Sequence, residues 1–192
     1  MRAVPRIYVF ALTVAVASLS LTATGASQSD LEAIPAAGLK KLAVRTEPIR
    51  LIGGPQRAPS EVPAPNGHVV AKIQHVSSGP ESRRSNILIT GRGRRPVALA
   101  TVVNYFGLSW SPGGTKIAYS EGAVVHVVDA NGRTRQAIYT GPGGPYPGAA
   151  FDLVWSDGGH TLSFTQVENA EQLDLSHPLR VVMTLGADEP RR

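Results

Sequence analysis

The stretch FGLSWSPGGTKIAYS at residues 106–120 decides the fold, because the chain repeats it as FDLVWSDGGHTLSFT at residues 151–165. The tryptophans of the two copies, Trp110 and Trp155, stand 45 residues apart, and each is followed by a serine and a pair of glycines. A repeat of about 40–45 residues with four strands in each unit is typical of propeller blades. The pattern therefore predicts an all-β chain, a partial β-propeller of four-stranded antiparallel blades.

Each part of the repeat has a physical role. A large tryptophan at the end of a strand is suited to cover the apolar seam between stacked sheets. The turn that follows needs glycine, which tolerates positive φ. A β-branched run at residues 124–128 then leads into Asp129-Ala-Asn-Gly, a strong turn signal, and residues 135–140 supply another strand. One complete blade is predicted over residues 106–140.

The flanking sequence predicts parts of two more blades. Residues 69–76, 86–90 and 96–101 read as the second, third and fourth strands of a preceding unit. The last unit has a longer loop at residues 166–178 and a third strand at 179–185, and it lacks a fourth strand. About three blades are thus expected within residues 68–192. Propellers typically have 4–8 blades, so self-association, a partner that fills the gap and a truncated gene product are the alternatives.

The repeat resembles the TolB-type, WD-like propeller family. The matching residues of the first copy are Trp110, Ser111, Pro112, Gly114, Ile117, Ala118, Tyr119, Val128, Asp129 and Gly132, and those of the second are Trp155, Ser156, Asp157, Gly158 and Leu162. Gly113 stands where the family has Asp, and Asp157 stands where it has Pro. The resemblance covers about residues 68–185 and is strongest at 106–140. It implies a fold rather than an activity, because such blades occur in binding scaffolds and in substrate-gating domains of peptidases.

The N-terminal residues 1–26 are predicted to be a signal peptide. Arg2 and Arg6 precede an apolar run at residues 7–21, and small residues follow at 23–26. The run is shorter than the roughly 20 residues of a membrane span. We therefore expect cleavage and a periplasmic or secreted protein, with membrane attachment only if the segment stays uncleaved.

Residues 27–67 hold six prolines and are predicted to be a Pro-rich linker or tether. A short helix within residues 31–44 and an edge strand from residues 42–52 are both left open.

The residue inventory excludes several chemistries. The chain has no cysteine, so a disulfide scaffold, a thiolate zinc site and a cysteine nucleophile are ruled out. It also lacks a G-x-S-x-G elbow, and its five histidines lie far apart. His126 either faces a central channel, where it would bind a ligand, or is a half-buried strand residue. The sequence predicts no catalytic residue, no metal ligand and no cofactor.

Charge is unevenly distributed along the chain. Residues 1–120 carry 14 Lys/Arg against five Asp/Glu, whereas residues 121–192 carry five against nine. The tightest basic cluster, which brackets one predicted strand, is formed by Arg83, Arg84, Arg92, Arg94 and Arg95. Export favours an anionic envelope polymer or lipid, or an acidic protein face, over nucleic acid as the partner of this cluster. Solvated loops that only keep the protein soluble are the interpretation preferred over any partner. The same asymmetry suits a homodimer that closes the propeller.

These observations predict an exported, non-catalytic binding or scaffold protein that recognises a protein or a cell-envelope component through its blades. Aromatic side chains near loop ends are either contact residues or core residues: Tyr105, Phe106, Tyr146 and Phe151. The alternative is a propeller-type hydrolase or lyase, or a remnant of one, that acts on peptide or saccharide through His126 and loop carboxylates.

Overall fold

The computed structural model describes residues 35–51, 59–79, 82–91, 93, 95–142, 148–168 and 177–187. Twelve strands in these ranges form three four-stranded antiparallel sheets, which makes the chain an all-β partial propeller as predicted. Blade 1 contains β2 (Glu61–Pro63), β3 (Val69–Gly79), β4 (Ser82–Gly91) and β5 (Val97–Val103). Blade 2 contains β6 (Tyr105–Trp110), β7 (Lys116–Glu121), β8 (Val124–Asp129) and β9 (Arg135–Thr140). Blade 3 contains β10 (Ala149–Ser156), β11 (Thr161–Val167), β12 (Leu179–Ala187) and β1 (Leu39–Pro48).

Short 3-10 turns at Ala36–Gly38 and Asp157–Gly159 complete the secondary structure of the described ranges. None of the described residues form a helix of the length and apolarity that crossing a membrane requires. The predicted signal peptide at residues 1–26 lies outside the described residues.

Blade 2 has the four strands that the repeat predicts over residues 106–140, and the other blades share its strand order. The strands expected as second, third and fourth of blade 1 take those positions in its sheet. Its first strand, β2, is only three residues long and lies within the range predicted to be a tether. The proline-rich sequence keeps β2 short, because proline has no N–H to donate to a neighbouring strand.

The expectation that blade 3 lacks a fourth strand is wrong. The strand β1, from the range predicted to be a linker, pairs antiparallel with β12 along nearly its whole length, from Leu39 opposite Ala187 to Pro48 opposite Leu179. An edge strand is thus observed, but over residues 39–48 and not from residues 42–52 as expected; residues 31–34 of the alternative helix lie outside the described residues. A scan for a contiguous repeat misses it, because the strand lies more than 100 residues before the blade that it completes.

A short N-terminal segment, which we call the strap (Pro35–Pro48), also joins blade 3 to blade 2. The backbone N–H of Ala36 donates to Asp129 Oδ1 at 3.0 Å. With its amide nitrogen turned towards the strap, Gln136 donates to the carbonyl oxygen of Ala36 at 2.8 Å. The side chains of Ala36 and Leu39 are buried in the core between blades 2 and 3. The strap therefore closes the outer edge of this core.

Two apolar cores alternate with the three sheets. Ala71, Ile73, Ile87, Ile89 and Val102 of blade 1 meet Leu108, Trp110, Ile117, Tyr119 and Val128 of blade 2. The opposite face of blade 2, with Ala118, Val125, Val127 and Ile138, meets Leu153, Leu162, Phe164, Val181 and Met183 of blade 3. Side chains alternate between the two faces of a strand, so the outer faces of blades 1 and 3 carry the remaining residues and have no described blade against them.

Candidate functional site

A cluster of polar side chains lies on the face of blade 2 that meets blade 1. Tyr119 on β7 and His126 on β8 are opposite one another in the sheet, and their rings stack with centroids 5.0 Å apart and planes 18° apart. Tyr119 is fully buried and His126 is 8% exposed. His126 thus lies between two sheets on the third strand of its blade. His126 is thus a buried strand residue, and a ligand-binding role for it stays a prediction.

Glu121 connects this cluster to blade 1. Its Oε1 atom accepts a hydrogen bond from the backbone N–H of Val103 at 3.0 Å, and its Oε2 atom lies 3.5 Å from Nε2 of His126. The other ring nitrogen of His126, Nδ1, is buried and has no hydrogen-bond partner among the described residues. The carboxylate therefore binds the end of β5 while it approaches the imidazole.

Burial sets the protonation states of the cluster. It lowers the pKa of His126, the nearby Arg135 guanidinium lowers it further, and Glu121 opposes both. Burial also raises the pKa of Tyr119 to about 12, and it raises the pKa of Tyr105 further still. The imidazole and both phenols are therefore neutral at neutral pH. A general base must come within hydrogen-bond reach of its substrate, and these side chains are enclosed by the two sheets. The cluster joins blades 1 and 2.

The predicted basic cluster is split between the two ends of one strand. Arg84 lies near the start of β4, and Arg95 follows the turn beyond its end; both are exposed. The eight residues from Arg84 to Gly91 span roughly 23 Å at the usual rise of a strand. The structure does not bring these two arginines together. Arg92, Arg94, Tyr146 and the side chain of Arg83 lie outside the described residues.

The other aromatic candidates contribute to packing. Phe151 is buried and forms a small cluster with Ala149 and Val167, against which Phe106 and Leu51 pack. Tyr105 is partly buried against the core between blades 1 and 2. These side chains are core residues, one of the two roles that the sequence left open for them.

The two open sheet faces differ in chemistry, a difference not predicted from the sequence. The open face of blade 1 is polar: Lys72 Nζ pairs with Glu61 at 2.7 Å, and Thr101 donates to Asn86 at 2.8 Å. A shallow cavity of about 520 Å³ runs along it, lined by Ser60, Glu61, Lys72, Ile73, Gln74, Leu88, Thr90 and Pro96. Its polar groups largely satisfy one another, as on the capping repeat of a repeat protein.

The open face of blade 3 combines cations with apolar side chains. The strand register puts Arg45, Val182, Ser163 and Val154 in one row across four strands. Of the exposed large apolar side chains in the described ranges, Leu42 at 60% and Val154 at 47% lie on this face, whereas Val76 at 58% and Val97 at 49% belong to blade 1. The strand register places Lys40, Arg45, Glu47, Val154, Arg180 and Val182 on this face, and the exposed Leu42 lies against Gly186 on it. In the sequence KKLAVR at residues 40–45, basic residues flank apolar ones, and this pattern could have predicted a face that combines the two.

No group of three or more His, Cys, Asp or Glu residues with metal-binding geometry occurs in the described ranges. The turn at Asp129 uses its carboxylate for the strap and for the hydroxyl of Thr134. The Asp129 carboxylate thus stabilises the turn that the sequence predicts and ties it to the strap.

Comparison with known proteins adds little. No protein-family model matches the chain, and no curated protein matches it. Among solved structures, an oligogalacturonate lyase in complex with manganese is similar at 12% sequence identity, with a TM-score of 0.45. The match covers 67% of this chain and 35% of the lyase, so the chain spans about a third of that enzyme's length. A similarity of this degree assigns no activity, and it gives no support to the expectation that the chain is non-catalytic. The TolB-type resemblance of the repeat stays a prediction.

Proposed function

We propose that this chain is an exported, non-catalytic binding protein that recognises a protein or a cell-envelope component through the exposed faces of its blades. The observation that carries the proposal is the location of its polar groups. Tyr119 and His126 are enclosed between blades 1 and 2, with the partly exposed Glu121 beside them, whereas sheet faces with cationic and apolar side chains lie open to solvent. Such a distribution suits recognition at a surface better than chemistry in a pocket.

Export and a TolB-like blade architecture are parts of the same proposal. They rest on the apolar run at residues 7–21 and on the repeat around Trp110 and Trp155. A phosphatase that folds only outside the cytoplasm, fused after residue 192, tests export. Activity of the fusion supports export, and an inactive but stable fusion contradicts it.

Binding is tested with the purified chain and the isolated cell envelope of the producing organism. We expect saturable retention that is unchanged in His126→Gln and reduced by charge reversal of the exposed Arg45. Protease treatment of the envelope beforehand separates a protein partner from a lipid or polymer. Absence of saturable retention would overturn the proposal. The proposal would also be overturned if the wild type degraded envelope saccharide or peptide and the His126→Gln variant did not, because that result would support a hydrolase or lyase.

A further inference from the structure

We infer that the open face of blade 3, formed by Lys40, Leu42, Arg45, Val154, Arg180 and Val182, docks on an anionic lipid surface. The inference rests on the proposed function, since it requires that the chain is exported, and it names the partner of one face.

The composition of the face matches the interfacial region of a bilayer. Leu42 and Val154 present exposed apolar groups at a headgroup boundary, and Lys40 and Arg45 are exposed cations on the same face. Anionic lipids attract Lys and Arg near the surface, about fivefold in affinity for each charge. Apolar contact together with several cations is the combination that gives stable attachment to a membrane surface.

The contrast between the two open faces argues against a second copy of the chain as the occupant. In a closed ring of two chains, blade 1 of one copy would pack on blade 3 of the other. On blade 1, Glu61 is already paired with Lys72 and the exposed Arg84 adds a further positive charge, so the face offers no excess of acid to the cations of blade 3. Its polar Gln74, Asn86 and Thr90 would also meet the apolar Leu42 and Val154. Charge and polarity both favour an anionic, partly apolar partner.

Hydrogen bonds hold part of the face in place. Nη2 of Arg180 donates to Oγ of Ser163 at 2.8 Å, and Ser163 lies between Val154 and Val182 in the sheet. Glu47, opposite Arg180 on β1, is the one acid in register with these cations. The guanidinium is therefore fixed beside the apolar row, so docking does not have to order it.

The test is cosedimentation with vesicles of pure phosphatidylglycerol and of pure phosphatidylcholine. The protein is used as purified from the expressing cells, whether or not residues 1–26 have been cleaved. An attached apolar run at residues 7–21 would bind both types alike, so the ratio of the two affinities reports on the face. We expect a preference for phosphatidylglycerol that weakens with salt. The double variant Lys40→Glu/Arg45→Glu should reduce this preference at least tenfold, and Leu42→Ser should reduce binding several-fold.

The matched controls are the double variant Arg84→Glu/Arg95→Glu and the single variant Val97→Ser, which reverse two charges and replace one exposed apolar side chain on blade 1. Both should keep the wild-type preference, and circular dichroism should show that all variants are folded. Equal affinity for the two lipids, or an equal loss in the controls, would overturn the inference. A dimer in light scattering that Leu42→Ser dissociates would overturn it in favour of a second copy. Retention on the envelope without any lipid preference would leave the proposed function standing and remove only this inference.

Discussion

The indole N–H of Trp110, on the first strand of blade 2, donates a hydrogen bond to the carbonyl oxygen of Val62, on the first strand of blade 1, at 2.9 Å. One blade further on, Trp155 donates in the same way to the carbonyl oxygen of Ser109 at 3.2 Å. Each tryptophan of the repeat thus binds the first strand of the preceding blade. The bond explains why both copies use tryptophan, the aromatic residue that combines a large apolar surface with a single N–H donor.

Replacement of Trp110 by Phe should destabilise the fold by about 1–3 kcal/mol. The change leaves the carbonyl of Val62 without its donor and removes part of a buried ring. Trp155→Phe should cost less, because Trp155 is only partly buried and its bond is longer. Urea unfolding followed by circular dichroism measures both values. An equal loss of unfolding free energy in the two variants would contradict the larger contribution assigned to the hydrogen bond from Trp110 to Val62.

The sequence predicts the repeat unit well and the connections between distant segments poorly. Blade 2 is predicted strand by strand, because hydrophobic alternation and turn residues such as Asn131-Gly132 are local signals. The pairing of Leu39–Pro48 with β12 is a contact between segments far apart in the chain, which no local pattern encodes. The same reason explains the site. Single candidate residues such as His126 can be identified from the sequence. That Arg45 lies beside Val182 cannot, because this contact depends on the register between two strands that are far apart in the chain.

Removal of the Asp129 carboxylate should loosen the strap. Asp129→Ala abolishes the bonds to the backbone N–H of Ala36 and to the hydroxyl of Thr134. We expect a loss of about 1–3 kcal/mol, with faster hydrogen exchange along β1. Asn131→Ala is the matched control, since Asn131 accepts only the N–H of Arg133 within the same turn. Equal exchange of β1 in the two variants would contradict an anchoring role for Asp129.

Two leucines three residues apart on the strap should respond differently to truncation. Leu39 is buried in the core between blades 2 and 3, whereas Leu42 is exposed on the open face of blade 3. Leu39→Ala should therefore cost about 2–4 kcal/mol through lost burial and the cavity left behind. Leu42→Ala should stay within about 0.5 kcal/mol of the wild type. Thermal and urea unfolding check the pair, and a large loss from Leu42→Ala would mean that its side chain packs in solution.

Two glycines provide a test of close packing. A Cβ atom at Gly141 would lie 2.7 Å from Nε2 of Gln166, whose side chain is buried and bonded to the hydroxyl of Tyr139. A Cβ atom at Gly186 would lie 2.6 Å from Cδ1 of Leu42, the end of an exposed side chain that can move away. Gly141→Ala should thus destabilise by about 1–3 kcal/mol through overpacking. Gly186→Ala should be nearly neutral. A lower unfolding midpoint for Gly186→Ala than for Gly141→Ala would refute the prediction that Gly141 is the more closely packed of the two glycines.

The buried imidazole should make stability depend on pH. Burial and Arg135 hold the pKa of His126 below its ordinary value of 6.5, against the opposing effect of Glu121. As pH falls through about 6.5, the unfolded chain gains a proton that the folded chain does not, so the free energy of unfolding decreases. The decrease ends once pH reaches the lowered pKa of the folded state, because both states are then protonated.

His126→Phe keeps an aromatic ring beside Tyr119 and removes the titration. Relative to this variant, the wild type should lose stability as pH falls below about 6.5, and the difference between the two should be constant above about pH 7.5. Urea unfolding at a series of pH values measures that difference directly. A wild-type protein that gains stability relative to His126→Phe on acidification would show that Glu121 outweighs burial and that the folded imidazole is charged.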